Sequence, residues 1–168
     1  FLVTLQPQDD GSYRMGKNLV AGDLDGPIAD EAHAMFKPVL WDQVSDQVAS
    51  PNGTLGHRFG DADLGRWNLR LGDLEPVLTL MDTPGWEPVE VELPCFANET
   101  EEPFGLRRGV PTRRVGDRVV TTVFDLLLAQ YGVGRPGLPG SWPAGYDDEQ
   151  GQYTPAWQEA ITNVPAAP

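Results

Sequence analysis

Glycine and proline interrupt this chain so often that a long helix has no room to form. The 19 Gly and 16 Pro make 35 of 168 residues, about a fifth where an average globular chain has about 12%. Proline removes a backbone donor and fixes φ, and glycine loses the most freedom on ordering, so both confine regular structure to short pieces between turns. The five Trp, six Phe and four Tyr pull the other way, because such large apolar surfaces require burial that a disordered chain does not provide. The sequence therefore predicts an ordered, loop-rich α+β or incomplete α/β segment with a β-hairpin and short helices. Its length suits either one domain with a core or a portion of a longer architecture.

Charge narrows the function classes. Twelve Lys and Arg against 25 Asp and Glu leave a net charge of −13, which argues against attraction to nucleic acid or to an anionic membrane surface. No apolar run approaches the about 20 residues that span a bilayer, and no basic-then-apolar leader opens the chain, so a soluble segment is expected. A single cysteine, Cys95, makes no internal disulfide and no Cys-rich zinc or iron-sulfur spacing. His33 and His57 stand far apart and outside any H-E-x-x-H pattern. The Asn98-Glu99-Thr100 sequon has the form of a glycosylation acceptor but no secretory context.

Three stretches are expected. In the first, residues 1–50, an apolar strand over residues 1–5 runs into a polar Pro/Asp/Gly turn over 6–11, residues 29–36 have one or two helical turns, and 38–41 are extended. The second, 51–102, is turn-rich: its glycines at 53, 56, 60 and 65 lack the Lys-Ser/Thr or G-x-G-x-x-G context of a phosphate cradle. Within it, residues 88–94 alternate apolar and acidic side chains between prolines, which reads as a half-buried strand. The third, 103–168, has a hairpin turning at Gly116-Asp117 and then a helix capped by a Thr and closed near Gly132. Its apolar residues at 123, 124, 127, 128 and 131 share a face expected to point into the core. A second short helix starts with Thr154 as cap and Pro155 in the first position, and ends before Asn163 and Pro165.

Five of the twelve basic residues, Arg107, Arg108, Arg113, Arg114 and Arg118, crowd around the hairpin. They suit a carboxylate-rich partner surface or an anion, and they equally suit pairing with acids of their own hairpin. Carboxylates are plentiful, but no Ser-His-Asp or Cys-His context accompanies them. No catalytic residue and no metal ligand is assigned, and cofactor-binding residues stay unassigned.

Taken in order, several strings resemble one family. Asp10-Gly11-Ser12-Tyr13, Pro51-Asn52-Gly53-Thr54-Leu55-Gly56 with Arg58 and Gly60, and Trp67-Asn68-Leu69 come first. Val120-Thr121-Thr122-Val123-Phe124-Asp125-Leu126 with Ala129 and Tyr131-Gly132, and Tyr153-Thr154-Pro155-Ala156-Trp157 with Ile161-Thr162 and Val164-Pro165, follow. Together they resemble the alpha (catalytic) subunits of respiratory nitrate reductases, molybdopterin oxidoreductases related to dimethyl sulfoxide reductase. The Arg135-Pro136-Gly137-Leu138-Pro139-Gly140 linker has an actinobacterial style. The resemblance implies an internal portion of a larger multidomain molybdoenzyme that reduces nitrate to nitrite with electrons from quinol. It implies molybdenum bis-molybdopterin guanine dinucleotide and a [4Fe-4S] cluster in the full subunit, with their ligands upstream of this segment. Cys95 and His57 stand where the family pattern has aromatic residues, so neither is carried over as a ligand or an acid/base. Implied partners are the rest of the alpha subunit, an iron-sulfur beta subunit and a cytochrome b gamma subunit on the cytoplasmic side of the membrane. A chlorate-, selenate- or hydrocarbon-oxidising relative of the same superfamily, and a non-catalytic binding module, stay open at this point.

Overall fold

A computed structural model of the chain describes residues 1–52, 70–95 and 104–166. Its strands are β1 (Leu2–Pro7), β2 (Tyr13–Asn18), β3 (Leu40–Asp42), β4 (Gln47–Ala49), β5 (Glu87–Pro94), β6 (Phe104–Val115) and β7 (Arg118–Thr122), and its helices are α1 (Val123–Gln130) and α2 (Pro155–Thr162). Single 3₁₀ turns lie at Ala21–Asp23, Ala34–Phe36 and Leu80–Asp82. The architecture is mixed α+β and loop-rich. Strands from all three sequence stretches close one barrel in the order β1, β2, β5, β6, β7, while β3 and β4 pair separately. All barrel pairings are antiparallel except β2 with β5, whose Tyr13 lies opposite Val91.

Local chemistry explains the hairpins. Between β1 and β2, the Asp10 carboxylate accepts from the Ser12 amide at 3.0 Å and from the Ser12 hydroxyl at 2.7 Å, and Gly11 takes φ +85°. That is an Asp side chain substituting for a backbone turn, followed by the residue that tolerates left-handed φ. Between β6 and β7, Val115 pairs with Arg118 across Gly116 and Asp117, and Gly116 has φ +61°. The hairpin expected from Gly116-Asp117 is therefore present. So is the strand at 88–94, whose Val91 and Leu93 are fully buried while Glu90 is exposed.

Two apolar clusters hold the barrel wall from both sides. Inside, Val3 and Leu5 of β1 meet Val91, Leu93, Leu106 and Val110, and Leu126 and Ala129 of α1 close this cluster like a plug. Outside, Leu2 and Val120 pack with Leu19, Val39, Trp41 and Leu80 from the short connecting pieces. Leu2 is buried in the outer cluster and Val3 and Leu5 in the inner one, so apolar residues stand on both faces of β1 instead of alternating with polar ones.

Residues 29–36 contain one helical turn, the 3₁₀ turn at Ala34–Phe36, confined to that end by His33 at φ +62°, since a left-handed residue interrupts helical propagation. One expectation is corrected. The inward face of α1 is Asp125, Leu126 and Ala129, whereas Val123, Phe124, Leu127 and Tyr131 face outward. A polar knot at the start of the helix, centred on Asp125, fixes its rotation. The second helix follows the sequence: Thr154 Oγ1 accepts from the Trp157 amide at 3.1 Å, Pro155 leads, and Asn163 closes it at φ +57°.

Candidate functional site

The polar knot lies where β7 passes into α1. Asp125 is completely buried, and its carboxylate accepts from the Thr79 hydroxyl at 2.6 Å, the Leu80 amide at 3.0 Å, the Thr122 hydroxyl at 2.8 Å and Arg135 Nη1 at 2.6 Å. Thr122 in turn accepts from the Asp125 amide at 2.9 Å, capping α1. A buried carboxylate is tolerated only when its lone pairs are matched, and here four donors converge on it. This ties the 3₁₀ turn at Leu80–Asp82, the helix start and the loop after α1 into one unit. The sequence offered a Thr cap without saying whether Thr121 or Thr122 supplies it, and it did not mark Asp125 as the hub; the Thr-x-x-Asp spacing at a helix start was the available signal.

The opposite end of α1 is held by a different charge. Arg108 is 2% exposed, and its guanidinium donates to the carbonyls of Ala129 at 2.8 Å, Gln130 at 3.1 Å and Ser141 at 3.0 Å. The first two carbonyls close the helix, where orphan acceptors and the negative end of the dipole favour a cation. The ring of Trp142 lies 5.5 Å from the guanidinium carbon. Burial pushes the Arg108 pKa down from its ordinary value, yet an arginine stays charged across any physiological pH.

Strand alternation separates Arg108 from its neighbour. Arg108 lies opposite Val91 and faces inward with it, while Arg107 lies opposite Glu92 on the outside. Arg107 donates to Asp10 at 2.6 Å and to Glu92 at 2.8 Å, and Arg14 reaches Glu92 at 2.7 Å. The Ser12 hydrogen bonds, aided by Arg107, bring the Asp10 pKa down to about 2. Arg14 and Arg107 likewise lower that of Glu92. Arg113 stacks over Trp41 at 4.2 Å and meets Asp46 at 3.3 Å, and Arg118 meets Asp117 at 3.5 Å. Arg114 is exposed and makes no ion pair among the described residues. Arg114 and Arg118 line a shallow cleft of about 630 Å³ with Tyr13, Lys17 and Asp117. Most of the arginine cluster is therefore used inside the fold, as pairs, a stacked cation and a helix cap.

Cys95 is buried, and its thiol faces the Gln152 side-chain oxygen at 3.2 Å rather than a base. His57, the glycines 53–65 and the sequon at Asn98 lie outside the described residues. Among the described residues no group of three or more His, Cys, Asp and Glu is placed to hold a metal ion. No helix among them is long and apolar enough to cross a membrane.

No family model matches the chain. Among curated proteins, it is 47% identical over 171 residues to the nitrate reductase alpha subunit of Mycobacterium tuberculosis (strain ATCC 25618 / H37Rv), covering 99% of this chain and 14% of that protein. It is 34% identical over 174 residues to the nitrate reductase alpha chain of Bacillus subtilis (strain 168), covering 98% of this chain and 13% of that one. With the respiratory nitrate reductase 1 alpha chain of Escherichia coli (strain K12) it shares 33% identity over 181 residues, covering 97% and 14%. The chain thus spans about one seventh of the length of the curated relatives it matches.

Proposed function

We propose, for a chain that by its sequence belongs with the nitrate reductase alpha subunits, that it is a structural module of such a catalytic subunit and carries no active site of its own. Its matching over nearly its full length to a small share of those proteins supports this reading most directly. The whole subunit would reduce nitrate to nitrite with electrons from quinol, at a molybdenum bis-molybdopterin guanine dinucleotide fed by a [4Fe-4S] cluster. Both groups would be held by sequence outside these 168 residues. The complex would include an iron-sulfur beta subunit and a cytochrome b gamma subunit and sit on the cytoplasmic side of the membrane.

What this chain's residues supply is rigidity. The buried Asp125 and Arg108 lock the two ends of α1 to the barrel, so the helix is fixed in rotation and translation. An outlying module with that stiffness positions neighbouring polypeptide, and positioning and electrostatic tuning are the protein's share in a cofactor enzyme. The test is to purify the 168-residue segment beside the intact subunit and assay both for molybdopterin binding and nitrate reduction. The reading expects both properties in the intact subunit alone; tight cofactor binding or turnover by the segment contradicts it.

A further inference from the structure

The outward face of α1 has the composition of a core. Val123 and Phe124 are each 38% exposed, Leu127 49% and Tyr131 61%, and they share one side of the helix. The patch continues past the helix. The Val123 amide donates to the Phe1 carbonyl, and Thr122 Oγ1 lies 2.8 Å from the Leu78 carbonyl oxygen, which brings two more exposed apolar residues alongside. The only charge on α1 is Asp125, and it points inward. In a chain with 37 charged residues of 168, a solvent-facing helix would normally present some of them, and a helix apolar on every side is a buried helix.

We propose that this face, with Phe1 and Leu78 beside it, is an interior surface that packs against uncharged aliphatic and aromatic side chains of the same catalytic-subunit polypeptide outside these 168 residues. The inference rests on the reading given under the proposed function. The occupant follows from length: the chain spans only 14% of its Mycobacterium relative, so most of such a polypeptide is available to cover the patch. A permanent contact within one chain has the uncharged character of a domain core, as this face does. The locking of α1 at both ends presents the patch as a preformed platform.

Photo-crosslinking in the intact subunit tests it. Benzoylphenylalanine replaces Leu127 on the patch or, as a comparison, Asp117 in the exposed hairpin turn, and mass spectrometry locates the adducts after irradiation. The proposal expects adducts from position 127 with peptides of the same polypeptide outside residues 1–168, at several times the yield from position 117. Adducts with residues 53–69, adducts with a second copy of the subunit, or equal yield at both positions would overturn it. The mass of the intact polypeptide separates the two levels of failure. A polypeptide no longer than this chain removes both readings, whereas a long one without these adducts removes only the docking.

Discussion

The α1-plugged end of the barrel and the outer surface of the β5–β6 pair both depend on arginines and carboxylates, and they use them differently. Under α1, Asp125 and Arg108 are out of water and bound to fixed donors and carbonyls from distant segments. Outside, Arg107, Arg14, Glu92 and Asp10 pair across neighbouring strands, with the Arg14, Arg107 and Asp10 side chains about half exposed. Sequence neighbours Arg107 and Arg108 fall on opposite sides of that divide. The difference teaches that burial, more than the pairing itself, decides what a charged contact is worth: a buried group stripped of its partner has no water to replace it.

The largest effect expected is at Asp125. Asp125→Asn removes the charge facing Arg135 and puts an amide donor among donors, which should weaken the α1 end by about 3–5 kcal/mol. Hydrogen exchange of the α1 and β7 amides in the intact subunit would read it as lost protection. Next comes Arg108→Met, which keeps much of the packing but strands the Ala129, Gln130 and Ser141 carbonyls; a cost of about 2–3 kcal/mol is expected by the same measurement. Equal protection in this variant and in the unaltered protein would erase the contrast between the two regions. Arg107→Gln should have a smaller effect than either, and one that disappears in high salt.

The smallest effect sharpens the outer region through pH. The Asp10 pKa is brought below its ordinary value of 3.8, to about 2, so the folded state holds its proton less tightly than the unfolded chain does. Its contribution is therefore present above about pH 4 and disappears as pH falls through about 2. Ser12→Ala and Arg107→Gln should each raise the titration midpoint, because the Ser12 hydroxyl and the Arg107 guanidinium both favour the charged carboxylate. Carboxyl-carbon NMR of Asp10 would follow it, and an unmoved midpoint in both variants would contradict this origin of the shift.

Much of the local structure was legible because its causes are local. Gly116-Asp117 between β-branched runs specified the hairpin, the alternation at 88–94 specified β5, and Thr154-Pro155 specified the start of α2. Barrel closure was not legible. It needs β1 to meet β7 and β2 to meet β5 across long separations, and no short-range signal encodes those pairings. The rotation of α1 was also misread, since apolar periodicity finds a buried face but does not say what buries it. Asp125 won that choice because a carboxylate with four donors fixes the helix more strongly than any one apolar contact. The inward-facing arginine could have been found by carrying the β5 alternation across to β6, where Val91 faces Arg108. The absence of an assembled ligand or nucleophile among the described residues takes its meaning from the relatives, in which this stretch is a small share of the protein.

The length of the native polypeptide that carries this sequence bears most directly on the module reading. Mass spectrometry of the protein purified from its source should find a chain several times longer than 168 residues, with this segment as one part of it. A native polypeptide of about this length would contradict the account, because the cofactor-holding sequence it assigns to the rest of the subunit would not exist.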